Sequence, residues 1–312
     1  MTETKETWIE ITLSTPPELT DALSNFIVEL QSQGVSQESL PQESFDESES
    51  PGERDVVKAY FSPGPSAEKS IAALETYIES LSQLFPALER PAFTTKTIVD
   101  PDWGEQWKKF FKPLKVSRNI VIKPTWERYA PAGRDIVIDI DPGMAFGTGQ
   151  HPSTRMCIVA IEEILLKDRE HEKWSVLDVG TGTGILAICA AKLGAGRVVA
   201  LDIDPKAIEI ATENVILNGV QDRVEIVNRD VSRHRGSFNL IVANLTAATL
   251  SKLHKSLLRM TEPGGYFIAS GIIDQDKPHI EKIFHAEDVD IHDVRSEQEW
   301  VCYVFRKRSA AP

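Results

Sequence analysis

The chain has 312 residues and a formal net charge of −13, with 47 acidic and 34 basic residues. This length allows two domains of ordinary size, each with its own core, and the acidic balance disfavours a protein held mainly by phosphate contacts to nucleic acid. The 3 cysteines are widely spaced in apolar stretches, which indicates buried thiols in a reducing compartment. No cluster of cysteines or histidines has the spacing of a metal site, so no structural metal is expected.

The distribution of apolar residues does not predict a membrane protein. The first residues lack a basic stretch followed by an apolar core, and no uninterrupted apolar run approaches the length of a membrane span. We expect a soluble, cytoplasmic protein without membrane contact.

The first third of the chain alternates strand and helix patterns. The predicted elements are a strand at Trp8–Leu13, a helix at Pro17–Gln33, a strand near Gly34–Glu38, a strand at Asp55–Ser62, a helix at Ser66–Leu84 and a strand at Ala92–Val99. This order predicts a small α+β domain of ferredoxin-like type over residues 1–100. The segment Gln37–Arg54 is acidic and rich in Ser and Pro, which predicts a mobile loop. The sheet lacks the aromatic and basic pattern that stacks RNA bases, so it is interpreted as a protein-docking module.

Residues 101–130 are predicted to link the two halves of the chain and to contain a short helix. Trp103, Trp107, Phe110 and Phe111 lie close together in this segment. Aromatic side chains in such number require burial, so the segment is interpreted as a packed connector and not as a flexible tether. A further strand is predicted at Arg134–Ile140.

Residues 131–312 alternate strands and helices and predict a doubly wound, Rossmann-like α/β domain. The predicted strands are Ser175–Val179, Val198–Asp202, Val224–Asn228, Leu240–Asn244 and Gly265–Ser270, followed by Val289–Val294 and Trp300–Arg306 as two antiparallel strands. The predicted helices are Ser153–Leu166, Gly184–Leu193, Pro205–Asn218 and Thr246–Met260. A ligand of such a sheet lies beyond the carboxyl ends of its strands.

One glycine turn follows the first of these strands, as Asp178-Val-Gly-Thr-Gly-Thr-Gly184. A dinucleotide fingerprint has the spacing G-x-G-x-x-G, whereas Gly180, Gly182 and Gly184 give G-x-G-x-G. Asp178 is poorly placed beside a pyrophosphate but well placed to favour a cationic amino-acid ligand, and Asp202 can accept hydrogen bonds from two ribose hydroxyls. The pattern therefore favours S-adenosylmethionine over NAD. The alternative is an ordinary glycine-rich turn between a strand and a helix, without a cofactor.

Two other segments contribute candidate residues. The segment Asp141-Pro-Gly-Met-Ala-Phe-Gly-Thr-Gly-Gln-His-Pro-Ser-Thr154 predicts a loop over the ligand that ends at a helix capped by Ser153 or Thr154. His151 is interpreted as a hydrogen-bonding residue and not as a metal ligand. Asn244 ends the fourth strand at the mouth of the pocket, and the Asn-Leu-Thr-Ala sequence there lacks the Pro-Pro pair typical of enzymes that methylate DNA bases or glutamine.

Together the 141–154 segment, the glycine turn and Val-Ala-Asn-Leu at 242–245 resemble the ribosomal protein methyltransferase A (PrmA) family. The likeness extends over nearly the whole chain, through Lys123-Pro-x-Trp, Ser270-Gly-Ile-Ile and Glu299-Trp300. It implies a class I methyltransferase domain with S-adenosylmethionine as cofactor and a large-subunit ribosomal protein, L11, as substrate. Departures are Gln150 in place of a common Thr, Asn-Leu-Thr-Ala in place of Asn-Ile-Leu-Ala, and the long acidic loop.

The resemblance also assigns roles to residues and domains. It implies that the N-terminal domain recognises the substrate, that the linker repositions it, and that methyl groups pass to lysine side chains and the N-terminal amine. A monomer without a direct need for nucleic acid is expected. The cofactor contacts implied by the resemblance are Thr154, Gly180, Asp202 and Asn244, and Gly182 of the same turn is a further candidate. From their positions in the sequence, Asn244 is the candidate for orienting the amine or the cofactor, and Phe146 and Met144 are the candidate walls of the methyl-transfer channel.

Two alternative functions stay open at the level of sequence. One is an S-adenosylmethionine-dependent N-methyltransferase with another protein or a small amine as acceptor. The other is a protein that holds the cofactor without catalysis.

Overall fold

The computed structural model describes residues 7–30, 35–39, 54–61, 63–86, 88–99, 111–141, 149–167 and 173–309. The chain divides into two units, Met1–Phe110 and Phe111–Pro312. Trp103, Trp107 and Phe110 of the predicted connector lie outside the described residues, as do Met144 and Phe146 of the predicted loop.

The N-terminal unit has the predicted order of strands and helices. Its elements are β1 (Thr7–Thr15), α1 (Pro17–Glu29), β2 (Val35–Ser39), β3 (Asp55–Phe61), α2 (Pro65–Leu84) and β4 (Ala92–Val99). The strands form an antiparallel sheet in the order β2-β3-β1-β4. This is the ferredoxin-like arrangement expected from the sequence, including the strand near Gly34–Glu38.

The core of this unit lies between the sheet and its two helices. Alternate residues of β1 are fully buried, among them Ile11 and Leu13, because successive side chains of a strand point to opposite faces. Leu23 of α1 and Leu74 of α2 pack in the same cluster. The rings of Phe26 and Tyr77 stack across the two helices with centroids 4.0 Å apart.

The second unit is organised around a seven-stranded sheet. Its strands are β8 (Ser175–Val179), β9 (Arg197–Asp202), β10 (Val224–Asn228), β11 (Phe238–Asn244), β12 (Thr261–Ile273), β13 (Val289–Glu297) and β14 (Trp300–Lys307). The order is β10-β9-β8-β11-β12-β14-β13. The first five are parallel, and β14 pairs antiparallel with both β12 and β13. The doubly wound sheet with an antiparallel closing pair is confirmed.

Helices cover both faces of this sheet. They are α3 (Pro152–Lys167), α4 (Ile185–Lys192), α5 (Pro205–Leu217), α6 (Ala247–Met260) and α7 (Lys277–His285). One buried cluster contains α3 and α4 residues such as Ile161 and Ile188. The other contains Leu250 and Leu257 of α6 and Phe284 of α7. Helix α7 was not predicted from the sequence.

A small sheet precedes the large one within the second unit. It contains β5 (Leu114–Lys115), β6 (Ile120–Lys123) and β7 (Ile136–Asp139) in the order β5-β6-β7. Neither β5 nor β6 was predicted, since residues 101–130 were interpreted as a linker, whereas β7 lies within the predicted strand. The side chain of Asn218, at the end of α5, accepts from the backbone N–H of Asp139 at 2.9 Å and donates to its carbonyl at 2.7 Å. These bonds fasten the small sheet to the helices of the large one.

Two further expectations concern the cysteines and the membrane. Cys157, Cys189 and Cys302 are unpaired and buried, as predicted. Across the described ranges, no helix combines the length and the apolar character that crossing a bilayer requires.

Candidate active site

The glycine turn after β8 is held in a backbone conformation that suits glycine. Gly180, Gly182 and Gly184 have φ values of 70°, 55° and 82°, which side chains with a Cβ rarely adopt. The N–H groups of Gly180 and Thr181 both donate to the carbonyl of Leu201, at 2.9 and 3.0 Å. The turn is therefore tied to the end of β9 before α4 begins.

Close packing adds a second reason for glycine in this turn. A Cβ on Gly180 would lie 2.5 Å from Cδ2 of Leu245, and a Cβ on Gly184 would lie 3.3 Å from Cβ of Ala211. Leu245 follows β11 directly, so the turn after β8 and the end of β11 are in contact. From the sequence, Leu245 was noted only as the last residue of the Val-Ala-Asn-Leu motif.

Asp178 is a buried carboxylate under the glycine turn, with 1% of its surface exposed. Its Oδ2 accepts from the Thr181 hydroxyl at 2.6 Å and from the Ala187 backbone N–H at 3.2 Å. Its Oδ1 is buried and has no hydrogen-bond partner among the residues that the structure describes. Burial, with a smaller contribution from the carboxylate of Asp202, raises the pKa of Asp178 to about 6 against the lowering by its two hydrogen bonds.

Asp202 ends β9 with both carboxylate oxygens engaged by the backbone. Oδ2 accepts from the N–H of Gly182 at 3.0 Å, and Oδ1 accepts from the N–H of Asp204 at 3.0 Å. Each carboxylate oxygen has two lone pairs, so each can accept one further hydrogen bond. The two backbone bonds fix the carboxylate in an orientation that leaves capacity for a pair of hydroxyl groups.

Asn244 and Thr154 meet where β11 ends and α3 begins. The Asn244 side-chain amide donates to the Thr154 hydroxyl, with 3.3 Å between Nδ2 and Oγ1. Thr154 is 1% exposed. A Cβ on Gly271 would lie 3.0 Å from Oδ1 of Asn244, so the neighbouring strand β12 confines the same amide.

The start of α3 differs from the prediction that Ser153 or Thr154 caps it. The helix begins at Pro152, and His151 does the capping. Nδ1 of His151 accepts from the N–H of Ser153 at 3.3 Å, and the His151 carbonyl accepts from the N–H of Thr154 at 3.1 Å. The physical reason is that proline has no N–H and suits the first helical position, which moves the cap to the residue before it.

The structure thus brings together most of the residues that the sequence selected. The ends of β8, β9 and β11 are adjacent in the sheet and carry Gly180, Gly182, Asp202 and Asn244, while α3 adds Thr154. This edge also contains the point at which the strand order reverses, between β8 and β11, where ligands of such sheets bind. Phe146, the proposed channel wall, lies outside the described residues.

Across the ranges that the structure describes, no group of three or more His, Cys, Asp or Glu side chains is arranged to hold a metal ion.

Comparison with known proteins identifies the family. A family model for ribosomal protein L11 methyltransferase (PrmA) matches residues 7–308. A relative from Pelobacter propionicus with that name is 38% identical over 305 residues, covering 97% of this chain and 99% of its own. One from Geobacter sulfurreducens is 39% identical over 300 residues, covering 96% and 98%. The chain belongs to the PrmA family.

A solved structure supports the same assignment. The crystal structure of a ribosomal protein L11 methylase from Lactobacillus delbrueckii subsp. bulgaricus is 32% identical, with a TM-score of 0.57. It covers 64% of this chain and 100% of its own. This PrmA-family chain is therefore a methyltransferase with a Rossmann-like catalytic fold, and its cofactor is S-adenosylmethionine.

The residues of the PrmA-family chain suit that cofactor. The unpartnered Oδ1 of Asp178 complements a positively charged amino-acid end, and the spare acceptors on Asp202 complement ribose hydroxyls. The turn at Gly180 leaves no room for a side chain, because Leu245 occupies the space that a Cβ would need. A phosphate group would meet the Asp178 and Asp202 carboxylates, which agrees with a cofactor that has none.

Proposed function

We propose that this protein transfers methyl groups from S-adenosylmethionine to lysine side chains and to the N-terminal amine of ribosomal protein L11. One observation carries the proposal beyond the family assignment. The Asn244–Thr154 hydrogen bond joins the end of β11 to the first turn of α3. The glycine turn with Gly180 and the Asp202 carboxylate lie at the same edge of the sheet. These are the positions at which a nucleoside cofactor and an acceptor amine can be aligned.

Thr154, Gly180, Gly182, Asp202 and Asn244 are proposed to bind the cofactor. Asp202 would hold the ribose, and Asn244 would orient the methyl donor or the acceptor. Phe146 is proposed as a wall of the methyl-transfer channel. Bound S-adenosylmethionine supplies an already activated methyl group on a sulfonium, so alignment is the main contribution expected of these side chains.

The acceptor amine must lose a proton before it attacks, because amines are protonated at neutral pH. Asn244 has an amide that accepts no proton in this range, and Asp178 lies buried under the turn with two hydrogen bonds on one oxygen. We therefore propose that solvent receives the proton as the amine enters the pocket, without a dedicated base.

The N-terminal unit is proposed to recognise the substrate. The proposed division is a recognition domain at 1–100, a linker at 101–130 and a methyltransferase domain at 131–312. A ribosomal protein substrate supports a location in the cytoplasm, and we propose a monomer that acts without a direct nucleic acid requirement.

A transfer assay tests the proposal. The purified protein is incubated with S-adenosylmethionine and free ribosomal protein L11 from the same organism, and intact mass spectrometry counts the methyl groups added. Peptide mapping then locates them. Methyl groups on lysine and the N-terminal amine are the expected result, and added RNA should leave the rate unchanged.

Other outcomes would separate the alternatives. Transfer to a different protein in a ribosomal protein mixture, or to a small amine, would replace the proposed substrate. Tight cofactor binding without any transfer would indicate a protein that holds the cofactor without catalysis. Activity retained in full by both Asn244→Ala and Asp202→Ala would refute the proposed site.

A further inference from the structure

The tip of the β13–β14 hairpin contacts the start of α3. We call residues 297–300 the hairpin tip. Within it, the Trp300 ring packs edge-on against the His151 ring, with centroids 4.6 Å apart and an interplanar angle of 68°. Glu297 forms an ion pair with Arg155, which also donates to the carbonyl of Gln150. Two strands that do not neighbour β8 in the sheet therefore hold the segment that leads to Thr154.

The hydrogen bonds of His151 define its protonation state. Nδ1 lies 3.3 Å from the Ser153 nitrogen and 2.7 Å from the Ser153 hydroxyl oxygen. A backbone N–H can only donate, so Nδ1 is an acceptor and the proton of the neutral ring resides on Nε2. Burial lowers the pKa of His151 to about 4; the charges that face the ring are Glu299 and Glu297, which raise it, and Arg155, which lowers it. The ring is accordingly neutral when the enzyme works near neutral pH.

The first turn of α3 is fixed on its other sides by the central strands. The Ser270 hydroxyl of β12 donates to the carbonyl of Ser153 at 3.2 Å. The next residue, Thr154, accepts from Asn244 of β11. The turn thus has hydrogen bonds to β11 and β12 and a capping histidine that packs on the hairpin tip.

We propose that His151 is a positioning residue for the methyltransferase: through the acceptor at Nδ1 and its packing on Trp300, it sets the Thr154 hydroxyl against Asn244 and so controls cofactor affinity. This inference rests on the proposed function, because it takes Thr154 and Asn244 as cofactor contacts. His151 acts through these residues. A proton-transfer role does not agree with a half-buried, neutral ring whose Nδ1 is already bonded to Ser153.

Two substitutions separate the acceptor from the bulk of the ring. Asn places an oxygen near the position of Nδ1 and is a favoured capping residue, whereas Gln carries its amide one carbon further out and is not. We expect His151→Asn, which keeps an acceptor but loses the packing on Trp300, to bind S-adenosylmethionine about threefold more weakly than the wild type, and His151→Gln to bind about tenfold more weakly. Isothermal titration calorimetry measures both, and steady-state assays should show an unchanged KM for ribosomal protein L11.

A control on the same interface tests whether stability alone explains the effect. Arg295 of β13 pairs with Glu163 of α3 at 2.8 Å, away from the helix start. Glu163→Ala removes this contact between the same two elements, and its cofactor Kd should equal that of the wild type. Thermal unfolding without cofactor is recorded for every variant. Equal weakening by Glu163→Ala and His151→Gln, or equal binding by His151→Asn and His151→Gln, would overturn the proposal.

A second variant keeps the test open if His151→Gln does not fold. Trp300→Leu retains the His151 acceptor and removes its aromatic neighbour, and we expect about threefold weaker cofactor binding. Wild-type affinity in Trp300→Leu would overturn the role of the hairpin tip. Failure of the wild type itself to bind S-adenosylmethionine would refute the proposed function, a result distinct from wild-type binding that the variants leave unchanged.

Discussion

The Asn244 amide donates to the Thr154 hydroxyl across 3.3 Å, between residues 90 positions apart in the chain. The bond connects the end of a central strand to the first turn of a helix. Because of this bond, the two side chains should act as one unit in binding the cofactor.

Removing either partner of this bond should weaken cofactor binding by about tenfold, the value of one hydrogen bond of about 1.4 kcal/mol. Thr154→Val deletes the hydroxyl at nearly constant volume, and Asn244→Ala deletes the amide. We expect the double variant to lose less than the product of the two single effects, since both break one contact. Calorimetric Kd values for the wild type, the two single variants and the double variant complete this double-mutant cycle. Strict additivity of the binding free energies would contradict a shared role.

Asp202 should govern affinity through its two oxygens. Asp202→Asn supplies one acceptor where Gly182 and Asp204 require two, so one backbone N–H loses its partner and one hydroxyl of the ribose loses its acceptor. We expect S-adenosylmethionine to bind about 10- to 100-fold more weakly, as measured by calorimetry. Asp204→Asn is the control: Asp204 caps α5 by accepting from the Lys206 N–H, and Asn caps helices equally well. A similar loss in both variants would show that the defect is general.

Asp178 should affect stability and binding in opposite directions. Its pKa is raised to about 6 in the folded protein from the 3.8 of an ordinary aspartate, so the unfolded state ionises first as pH rises. The contribution of Asp178 to the free energy of unfolding is therefore most favourable below about pH 4 and falls as the pH rises to about 6. Above pH 6 the ionised, buried carboxylate lowers the free energy of unfolding by an amount on the order of 3 kcal/mol.

Asp178→Asn removes this cost and keeps an acceptor for Thr181 and Ala187. We expect the cofactor-free variant to unfold at a higher temperature than the wild type at pH 8, with the difference shrinking toward pH 4. Its affinity for S-adenosylmethionine should fall, because a carboxylate facing the cationic end is lost. Differential scanning calorimetry and cofactor titration at each pH measure the two effects, and a variant less stable than the wild type at pH 8 would disprove the assignment.

Gly180→Ala should destabilise the protein for two separable reasons. The residue has φ of 70°, and its Cβ would lie 2.5 Å from Leu245. We expect a loss of about 2 kcal/mol in the free energy of unfolding, part from the left-handed backbone and part from the clash. Gly133→Ala has a similar φ of 61° and meets nothing within 4 Å, so it isolates the backbone contribution.

The clash can be relieved independently. Leu245→Ala in the Gly180→Ala background removes the atoms that the new Cβ would meet. The double variant should lose less free energy of unfolding than the sum of the losses in Gly180→Ala and Leu245→Ala. Strict additivity of the two losses would mean that backbone strain in the turn accounts for the whole destabilisation by Gly180→Ala.

The sequence predicted the glycine turn and its neighbouring strands because their signals are local. β8 and β10 have the predicted bounds, and each is a short segment rich in β-branched residues that ends beside a glycine or an Asn. Asp202 and Asn244 were found by position, as polar residues that end buried strands. The same strand–turn pattern indicated which edge of the sheet holds the site.

The elements that escaped prediction depend on distant partners. β5 has two residues and exists only because it pairs with β6, so it has no pattern of its own. The predicted strand Gly265–Ser270 extends to Thr261–Ile273, where Pro263 and two glycines obscured the alternation. α7 spans nine residues, too few for a clear helical period.

The capping role of His151 escaped prediction for a related reason. Pro152 shifted the cap by one position, a local effect that sequence could have shown. Its packing against Trp300 arises only once β14 has joined the sheet, and no local pattern reports it.

β14 lies between β12 and β13 although it is the last strand in chain order. Its alternate side chains enter both cores: Cys302 and Val304 on one face, Tyr303 and Phe305 on the other. A nascent chain therefore cannot complete either core until β14 has left the ribosome, since domains fold as units. A copy truncated before Trp300 should therefore lack both complete cores and the support that they give to the candidate site, so methyl transfer requires that β14 has been synthesised.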